Sequence, residues 1–255
     1  MTFRPCIVVP VFNHGNGATA LMEHFAPLGL AVYFINDGST DDTGLKLAEI
    51  AEQYPTVRIV ERAENGGKGA AVVTGLRAAH REGFSHVLQI DADGQHEARD
   101  IPRFLALAEE QPNAVIAGQP EFDDSIPIGR LVGRYLTHIW VWIETLSFTI
   151  KDSMCGFRVY PLAAVIQVTD RVQLGRRMDF DPEILVRLHW DGLRILSLPT
   201  RVIYPDGGTS HFRLWLDNWL ITRMHTRLVF GMIWRVMLFR AGGFGGRDSR
   251  RNVTE

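Results

Sequence analysis

Short apolar segments alternate with longer helical stretches through the first half of the chain, and this alternation limits the fold more than any other feature. The segment Cys6–Val11 is apolar and rich in β-branched residues, which predicts a buried strand. Strands separated by helices predict an α/β fold with a mostly parallel sheet flanked by helices. Further strands are predicted at Ala31–Ile35, Val57–Val60, His86–Ile90 and Ala114–Ala117, and helices at Ala18–Pro27, after Thr40, at Gly69–Arg81 and at Ile101–Glu109.

The pattern changes after Pro120. Helices are predicted at Gly129–Ile150, Phe180–Leu188 and Leu214–Arg240, and strands at Arg158–Tyr160 and Arg194–Val202. The last helix is followed by a segment rich in glycine and arginine. We therefore expect a main domain over residues 1–213, an amphipathic helical segment over 214–240 and a disordered tail over 241–255.

Length and composition exclude several classes of protein. The chain has 255 residues, of which 46% are apolar, so one large domain with a substantial core is expected. Cys6 and Cys155 are too few for a disulfide framework or a zinc site. No segment reaches the roughly 18 uninterrupted apolar residues of a spanning helix. The amino terminus also lacks the pattern of a secretory signal peptide, which predicts a cytoplasmic protein.

Charge is distributed unevenly along the sequence. Residues 1–128 carry 9 Lys and Arg against 18 Asp and Glu, whereas residues 201–255 carry 9 against 4. A basic carboxyl-terminal part can face phosphates, acidic lipid headgroups or nucleic acid. Because no recognisable nucleic-acid-binding motif or aromatic platform accompanies the basic residues, we do not expect a nucleic-acid partner.

Polar residues follow the predicted strands at the points where the strands end. Asn13 follows the first strand, Asp37 the second, and Asp91 and Asp93 the fourth. In open sheets of this type, ligands bind beyond the carboxyl ends of the strands. The sequence therefore predicts a binding site at this edge of the sheet.

The segment from Gln89 to His96 carries the strongest chemical signal. Asp91 and Asp93 follow an apolar strand, and the turn at the strand end lets both carboxylates converge on one divalent ion. Hard oxygen ligands favour Mg²⁺ or Mn²⁺, with Gln95 or His96 completing the site. The alternative is a turn that ends the strand and leaves the acids in solvent.

Two further motifs are typical of nucleotide binding. Asp37, in the segment Asn36–Thr43, is placed to accept hydrogen bonds from a ribose or a base, although the same residues also fit a turn before a capped helix. The glycines before Lys68 allow backbone amides to approach a phosphate, to which Lys68 adds positive charge. The spacing matches neither a Walker P-loop nor a dinucleotide fingerprint.

Charged residues later in the chain supply candidates for catalysis. Arg158 can hold a phosphate, and Asp179, Asp181 and Glu183 place three carboxylates within five residues. One of them can act as a general base, although acids at the start of a helix give the same pattern. Cys155 is interpreted as a small buried residue rather than a nucleophile.

The carboxyl-terminal part suggests contact with a membrane surface. Ser210, His211 and Arg213 lie in a glycine-hinged loop before the long helix. That helix carries Trp215, Trp219 and Trp234 together with several arginines, a combination that suits a bilayer interface. A helix packed in the core or in a dimer interface is the alternative.

Five motifs appear in an order that resembles family 2 glycosyltransferases, close to the dolichol-phosphate mannosyltransferase-like branch. The resemblance extends over roughly residues 5–213 and is carried by Val8–Asn13, Asn36–Thr43, Asn65–Ala70, Asp91–Gln95 and Cys155–Arg158. It implies the GT-A fold, an appended carboxyl-terminal helix and inverting transfer of a sugar from a nucleotide-diphosphate sugar, with UDP and GDP both open. It also implies a donor site formed by Pro10, Val11, Asn13, Asp37, Lys68, Asp91, Ala92 and Asp93. A Mg²⁺ or Mn²⁺ ion would be held by Asp93, Gln95 and Asp91, with Arg158 near a phosphate.

Two departures from the family pattern concern the acceptor. Relatives that act on polyprenol phosphate have an Arg followed four residues later by Ser, whereas Arg130 and Arg134 here lack such a Ser. The carboxyl-terminal transmembrane pair of some relatives is absent, and the segment after Ser210 resembles bacterial members that act on lipid-linked acceptors. The acceptor site is expected to use Arg130, Arg134, Ser210, His211 and Arg213.

The acceptor is predicted to be a polyprenol phosphate or a lipid hydroxyl. The enzyme is predicted to be peripheral on the inner face of the cytoplasmic membrane. Its oligomeric state stays open. A phosphate needs no strong base, whereas a hydroxyl needs one, for which Asp181 or Asp179 is predicted. A sugar-phosphate nucleotidyltransferase and an inactive nucleotide-sugar-binding paralogue are the alternative functions.

Overall fold

A computed structural model of the protein describes residues 2–122, 128–202 and 213–243. In this part of the chain, seven strands form one mixed sheet in the order β3-β2-β1-β4-β6-β5-β7. The predicted α/β class and mostly parallel sheet are confirmed. The strands are β1 (Pro5–Val11), β2 (Val32–Asp37), β3 (Val57–Arg62), β4 (His86–Gln89), β5 (Ala114–Phe122), β6 (Arg158–Pro161) and β7 (Arg194–Val202).

Each predicted helix is present, although the one predicted over Gly129–Ile150 ends at Thr145, and one helix was not predicted. The segment Leu162–Arg171 forms the helix that was not predicted. Its many β-branched residues directly follow a strand, and such residues are more typical of strands than of helices. The helices are α1 (Gly15–Phe25), α2 (Thr43–Gln53), α3 (Lys68–Arg81), α4 (Ile101–Glu110), α5 (Ile128–Thr145), α6 (Leu162–Arg171), α7 (Phe180–Trp190) and α8 (Leu214–Gly243).

The sheet is covered on both faces, which explains why β1 is apolar along most of its length. Cys6 and Val8 point into one core, which also holds buried residues of α3, α6 and α7. Ile7 and Val9 point into the other core, which includes buried residues of α1, α2 and α4.

The direction of β6 brings a distant segment to the strand ends. Strands β1, β2, β3 and β4 are mutually parallel, so their carboxyl ends lie at one edge. Strand β6 is antiparallel to β4, with Arg158 opposite Gln89. The residues that precede β6 therefore reach the edge where Asp91 follows β4.

Helices α5 and α8 lie against each other beside this edge. Met224 and Leu228 of α8 belong to the core, so this helix is packed against the rest of the protein. In the part of the chain that the structure describes, no helix has the length and apolar character needed to cross a membrane. The predicted tail begins inside α8 at residues 241–243, and its remainder, 244–255, lies outside the described residues.

Candidate active site

A cavity of about 1080 Å³ opens at the carboxyl edge of the sheet. It is large enough for a nucleotide-sized ligand. Most of the residues predicted for the site line it: Pro10, Val11, Asp37, Lys68, Asp91, Ala92, Asp93, Gln95, Arg134, Asp181 and Arg213. The residues Ser210 and His211 and the side chain of Arg130 lie outside the description, so their predicted roles stay predictions.

Lys68 is the centre of a buried charge cluster at the floor of the cavity. Its Nζ lies 2.7 Å from Oδ2 of Asp91 and 2.8 Å from Oδ2 of Asp181. Burial disfavours a charged lysine, but the Asp181 and Asp91 carboxylates outweigh burial and raise the pKa of Lys68 above its ordinary value. Burial likewise opposes ionisation of Asp91, yet Lys68 holds the pKa of Asp91 below its usual range. The cluster therefore favours the ionised forms of Lys68 and Asp91 at a buried site.

The absence of a side chain at Gly156 provides the space that the Lys68 charge cluster occupies. A Cβ atom at position 156 would lie 2.5 Å from Nζ of Lys68 and 2.8 Å from Cγ of Asp91. Real Cβ atoms do not approach other heavy atoms this closely, so any larger residue would displace the cluster. This close approach explains the glycine in the Cys155–Arg158 motif.

Asp37 organises the glycine-rich loop before α3. Its carboxylate accepts hydrogen bonds from the backbone N–H groups of Gly66 and Gly67, at 3.0 and 2.8 Å, and from Nε of Arg62 at 2.7 Å. The prediction that these amides approach a phosphate is therefore wrong, because Asp37 already accepts their hydrogen bonds. Asp37 still lines the cavity, and its contact with a nucleoside stays a prediction.

Asn13 has a structural role next to the cavity. Its backbone has a φ of 55°, and its side-chain oxygen accepts a hydrogen bond from the N–H of Thr40 at 2.9 Å. Its own N–H donates to the hydroxyl of Ser39. Asn13 is not among the residues that line the cavity. Its hydrogen bonds fasten the loop after β2, and its predicted contact with the nucleoside stays a prediction.

The residues predicted to hold a metal ion fit that role. Oδ1 of Asp91 is buried and has no hydrogen-bond partner among the described residues. Asp93 and Gln95 line the same cavity, and their loop is held by a hydrogen bond from the Gln95 N–H to Oδ1 of Asp93. No group of three His, Cys, Asp or Glu residues forms a metal cluster within residues 2–122, 128–202 and 213–243. A cation here would therefore need further oxygen ligands from a substrate, as Mg²⁺ and Mn²⁺ commonly have.

Arg158 does not face the cavity, contrary to its predicted role as a phosphate ligand. It is fully buried and donates hydrogen bonds at 2.7 Å to the carbonyl oxygens of Ser153 and Asp181. Its guanidinium also lies 3.6 Å from Oδ1 of Asp181. Arg158 is therefore a buried residue at the start of β6 that supports the segment carrying Asp181.

The carboxylates predicted as general bases each form hydrogen bonds or ion pairs with other residues. Asp181 lines the cavity but lies between Lys68 and Arg158. Asp179 is outside the cavity lining and accepts a hydrogen bond from the N–H of Arg177, so its predicted catalytic place is not supported; burial raises its pKa. Glu183 is buried and accepts from Gly175. None of these three carboxylates is both open to the cavity and without a cationic partner.

Cationic side chains line the cavity on the side of α5 and α8. Arg134 of α5 forms a bidentate pair with Asp152, at 2.6 and 3.2 Å. Although burial opposes ionisation of Asp152, His138 and Arg134 lower the pKa of that carboxyl. Arg213, which precedes α8, lines the same wall.

Arg177 is a cavity residue that sequence reasoning missed. It forms a bidentate pair with the buried Asp217 of α8, at 2.6 and 3.3 Å, and it lines the cavity beside Met178. Asp217 also accepts a hydrogen bond from the N–H of Arg213. The only signal in the sequence was a basic pair, Arg176 and Arg177, directly before the acidic run.

A family model described as glycosyl transferase family 2 matches residues 6–165. The chain belongs to glycosyl transferase family 2. The match covers all five motifs and β1 to β6, including the cavity residues that follow β1, β2 and β4. The chain is a glycosyltransferase, and this assignment decides against the sugar-phosphate nucleotidyltransferase.

Two curated relatives place the chain in the dolichol-phosphate mannosyltransferase-like branch of the family. The chain is 30% identical over 226 residues to polyprenol monophosphomannose synthase of Mycolicibacterium smegmatis, covering 82% of this chain and 81% of that protein. It is 31% identical over 166 residues to a dolichyl-phosphate beta-glucosyltransferase of Trichomonas vaginalis. That match covers 61% of this chain and 49% of the relative, so the chain spans about half the length of that enzyme.

Solved structures confirm the GT-A fold. Glucosyl-3-phosphoglycerate synthase from Mycobacterium tuberculosis, in complex with Mn²⁺ and UDP-glucose, superposes with a TM-score of 0.65 at 16% identity. The superposition covers 90% of this chain and 78% of that chain. At this identity the likeness supports the fold alone.

Proposed function

We propose that this glycosyltransferase moves a sugar, with inversion, from a nucleotide-diphosphate sugar to a lipid phosphate at a membrane surface. One observation carries the choice of acceptor. Asp181, the predicted general base that lines the cavity, is bound between Lys68 and Arg158. A hydroxyl acceptor needs a base to take its proton, whereas a phosphate oxygen is already ionised. The cationic wall formed by Arg134, Arg177 and Arg213 suits such an anion.

The proposed reaction exchanges one bond for another. A phosphate oxygen of the acceptor forms a bond to the anomeric carbon while the bond from that carbon to the nucleotide's β-phosphate oxygen breaks. The nucleoside diphosphate leaves with the bonding electron pair, so no proton has to be removed. Inversion follows because attack and departure occur on opposite faces of the sugar.

A divalent cation belongs to the donor site in this proposal. Asp91, through its unpaired Oδ1, together with Asp93 and Gln95, would hold Mg²⁺ or Mn²⁺, and the ion would supply positive charge to the diphosphate. The M. tuberculosis structure with Mn²⁺ and UDP-glucose supports divalent metal use in this fold. Asp37, Pro10 and Val11 would border the nucleoside, which leaves UDP and GDP both open.

The acceptor class is supported by the relatives and is tested by direct transfer. The Mycolicibacterium smegmatis relative is named for a polyprenol product, and a related enzyme of Micrococcus luteus is named undecaprenyl-phosphate mannosyltransferase. We expect labelled sugar to appear on undecaprenyl phosphate and not on undecaprenol, the matched alcohol, measured by extraction and chromatography. Equal transfer to the alcohol would contradict the phosphate acceptor.

The donor site is tested by Asp93→Asn. This change keeps an oxygen that accepts the hydrogen bond from Gln95 and removes the negative charge. We expect metal-dependent binding of the donor to weaken by at least about tenfold, as changes around bound metals commonly do. Calorimetric titration of UDP-glucose, UDP-GlcNAc and GDP-mannose, each with and without Mn²⁺, makes the measurement.

Asp170→Asn is the control for Asp93→Asn, because Asp170 is an exposed acid of α6 that does not line the cavity. It should bind the donor like the unchanged protein. Equal affinity of Asp93→Asn and Asp170→Asn in the presence of Mn²⁺ would remove Asp93 from the metal site.

A further inference from the structure

Helices α5 and α8 each expose an apolar side to solvent. On α5, Leu136, Ile139 and Ile143 are 42–56% exposed and share one side by helical spacing. On α8, Trp215 is 89% exposed, and Trp219 and Phe230 lie on the same side of the helix. These six side chains define the α5–α8 face.

The α5–α8 face is directed away from the body of the protein. On α8, Met224 and Leu228 are fully buried on the opposite side of the helix. On α5, Val141 is buried opposite the exposed stripe. The helices touch each other, with Trp140 stacked on His225 and His225 bonded to Glu144, so their exposed sides adjoin.

The charges around the α5–α8 face identify its partner. The two helices contain one acid each, Glu144 and Asp217, and both are fully buried. Arg223 is exposed on α8, and the sequence from residue 201 onward has 9 basic against 4 acidic residues. An apolar, aromatic surface with positive charge and no exposed acid is complementary to anionic lipid headgroups. A second copy of this chain would present the same positive charge.

The face continues into the cavity at the amino-terminal ends of both helices. Gly133 and Arg134 from α5 and Leu214 and Asn218 from α8 line the cavity wall. A lipid whose phosphate reaches this wall would have its chain directed between the two helices. The cavity wall and the α5–α8 face therefore share these two helices.

We propose that the α5–α8 face rests on an anionic phospholipid bilayer, and that a lipid acceptor enters the cavity between the first turns of α5 and α8. The proposed membrane docking is argued from the exposed residues alone, whereas the proposed entry route of the lipid rests on the proposed function. The helices lie at the interface and do not cross the bilayer, consistent with the absence of a spanning helix among the described residues.

Co-sedimentation with vesicles tests the docking surface. The full chain should bind vesicles of phosphatidylcholine mixed with phosphatidylglycerol and bind phosphatidylcholine alone more weakly. The double variant Trp215→Gln/Trp219→Gln, and separately Leu136→Gln/Ile139→Gln, should each lower the partition coefficient by about tenfold, because each removes apolar area that the bilayer would cover. Leu45→Gln is the control, since Leu45 is 72% exposed on α2, outside the face.

Unchanged vesicle binding by both double variants would overturn the proposal. The proposal would also be overturned if the unchanged protein self-associates in solution and the same variants abolish this self-association. A second copy of the chain would then cover the α5–α8 face. Circular dichroism and calorimetric donor binding should match the unchanged protein, because these four residues do not line the cavity.

The entry route has its own measurement. The Trp215→Gln/Trp219→Gln variant should lose transfer to undecaprenyl phosphate in vesicles by about tenfold and keep transfer to a water-soluble short-chain polyprenyl phosphate. Equal loss on both acceptors would overturn the route. If the unchanged protein transfers to neither, the proposed acceptor fails, while the vesicle-binding result still decides whether the face docks.

Discussion

Replacing Lys68 with methionine is expected to lower the free energy of unfolding by about 3–5 kcal/mol, the cost of leaving buried charges without their partner. Asp91 and Asp181 would then face each other across the cavity floor without the cation between them. Turnover should fall by at least about a hundredfold, because the proposed reaction relies on this charge arrangement to stabilise the departing diphosphate. Urea unfolding and a labelled-sugar transfer assay make the two measurements.

Lys46→Met is the matched control for Lys68→Met. Lys46 also forms an ion pair, with Asp42, but that pair is exposed to solvent, so its loss should cost less than about 1 kcal/mol. If Lys68→Met does not fold, the double variant Lys68→Met/Asp181→Asn should recover part of the stability, because it removes one of the two carboxylates that lose Lys68. A loss for Lys68→Met no larger than for Lys46→Met would contradict the charge cluster.

The edge of the sheet that holds the site was predictable because its strands are continuous apolar segments. β2 ends at Asp37, while Asn13 and Asp91 each follow the end of a strand by two residues, and parallel strands bring such ends together. Asp37, Asp91 and Asp93 therefore line one cavity, as the sequence predicted. Hydrophobic pattern alone determines this part of the architecture.

Arg158 shows why the direction of a short strand was not predictable. β6 has four residues, and neither its partner nor its orientation is encoded in their pattern. In the antiparallel arrangement Arg158 pairs with Gln89 and is buried. A local motif with a free arginine suggested a phosphate ligand, whereas tertiary packing made this arginine part of the core.

The glycine-rich loop illustrates a second limit. Backbone N–H groups before a helix predict an anion, and the sequence offers no sign of which anion. In the fold, the anion is the carboxylate of Asp37, which is 29 residues before Gly66 in the chain. Arg177 was missed for a similar reason, because its partner Asp217 lies 40 residues later on α8.

Replacing Gly156 with alanine is expected to weaken metal-dependent donor binding and turnover by at least about tenfold, through displacement of two groups of the donor site. The added Cβ would lie 2.5 Å from Nζ of Lys68, so Lys68 and Asp91 must move. The accompanying loss of stability should be about 1–3 kcal/mol, typical of overpacking at a close-packed position. Calorimetric donor titration with Mn²⁺ and urea unfolding make the measurements.

Gly44→Ala is the control for Gly156→Ala, because it adds the same methyl group elsewhere. A Cβ at Gly44 would lie 3.7 Å from Nδ2 of Asn36, an ordinary contact, and the position is in α2. The control should match or exceed the stability of the unchanged protein, because alanine is favoured over glycine in helices. The prediction is contradicted if Gly156→Ala and Gly44→Ala have equal donor affinity and equal turnover. Gly156 would then not be required for the positions of Lys68 and Asp91. The loss should appear mainly in the metal-dependent part of donor binding, since the displaced carboxylate has the unpaired Oδ1.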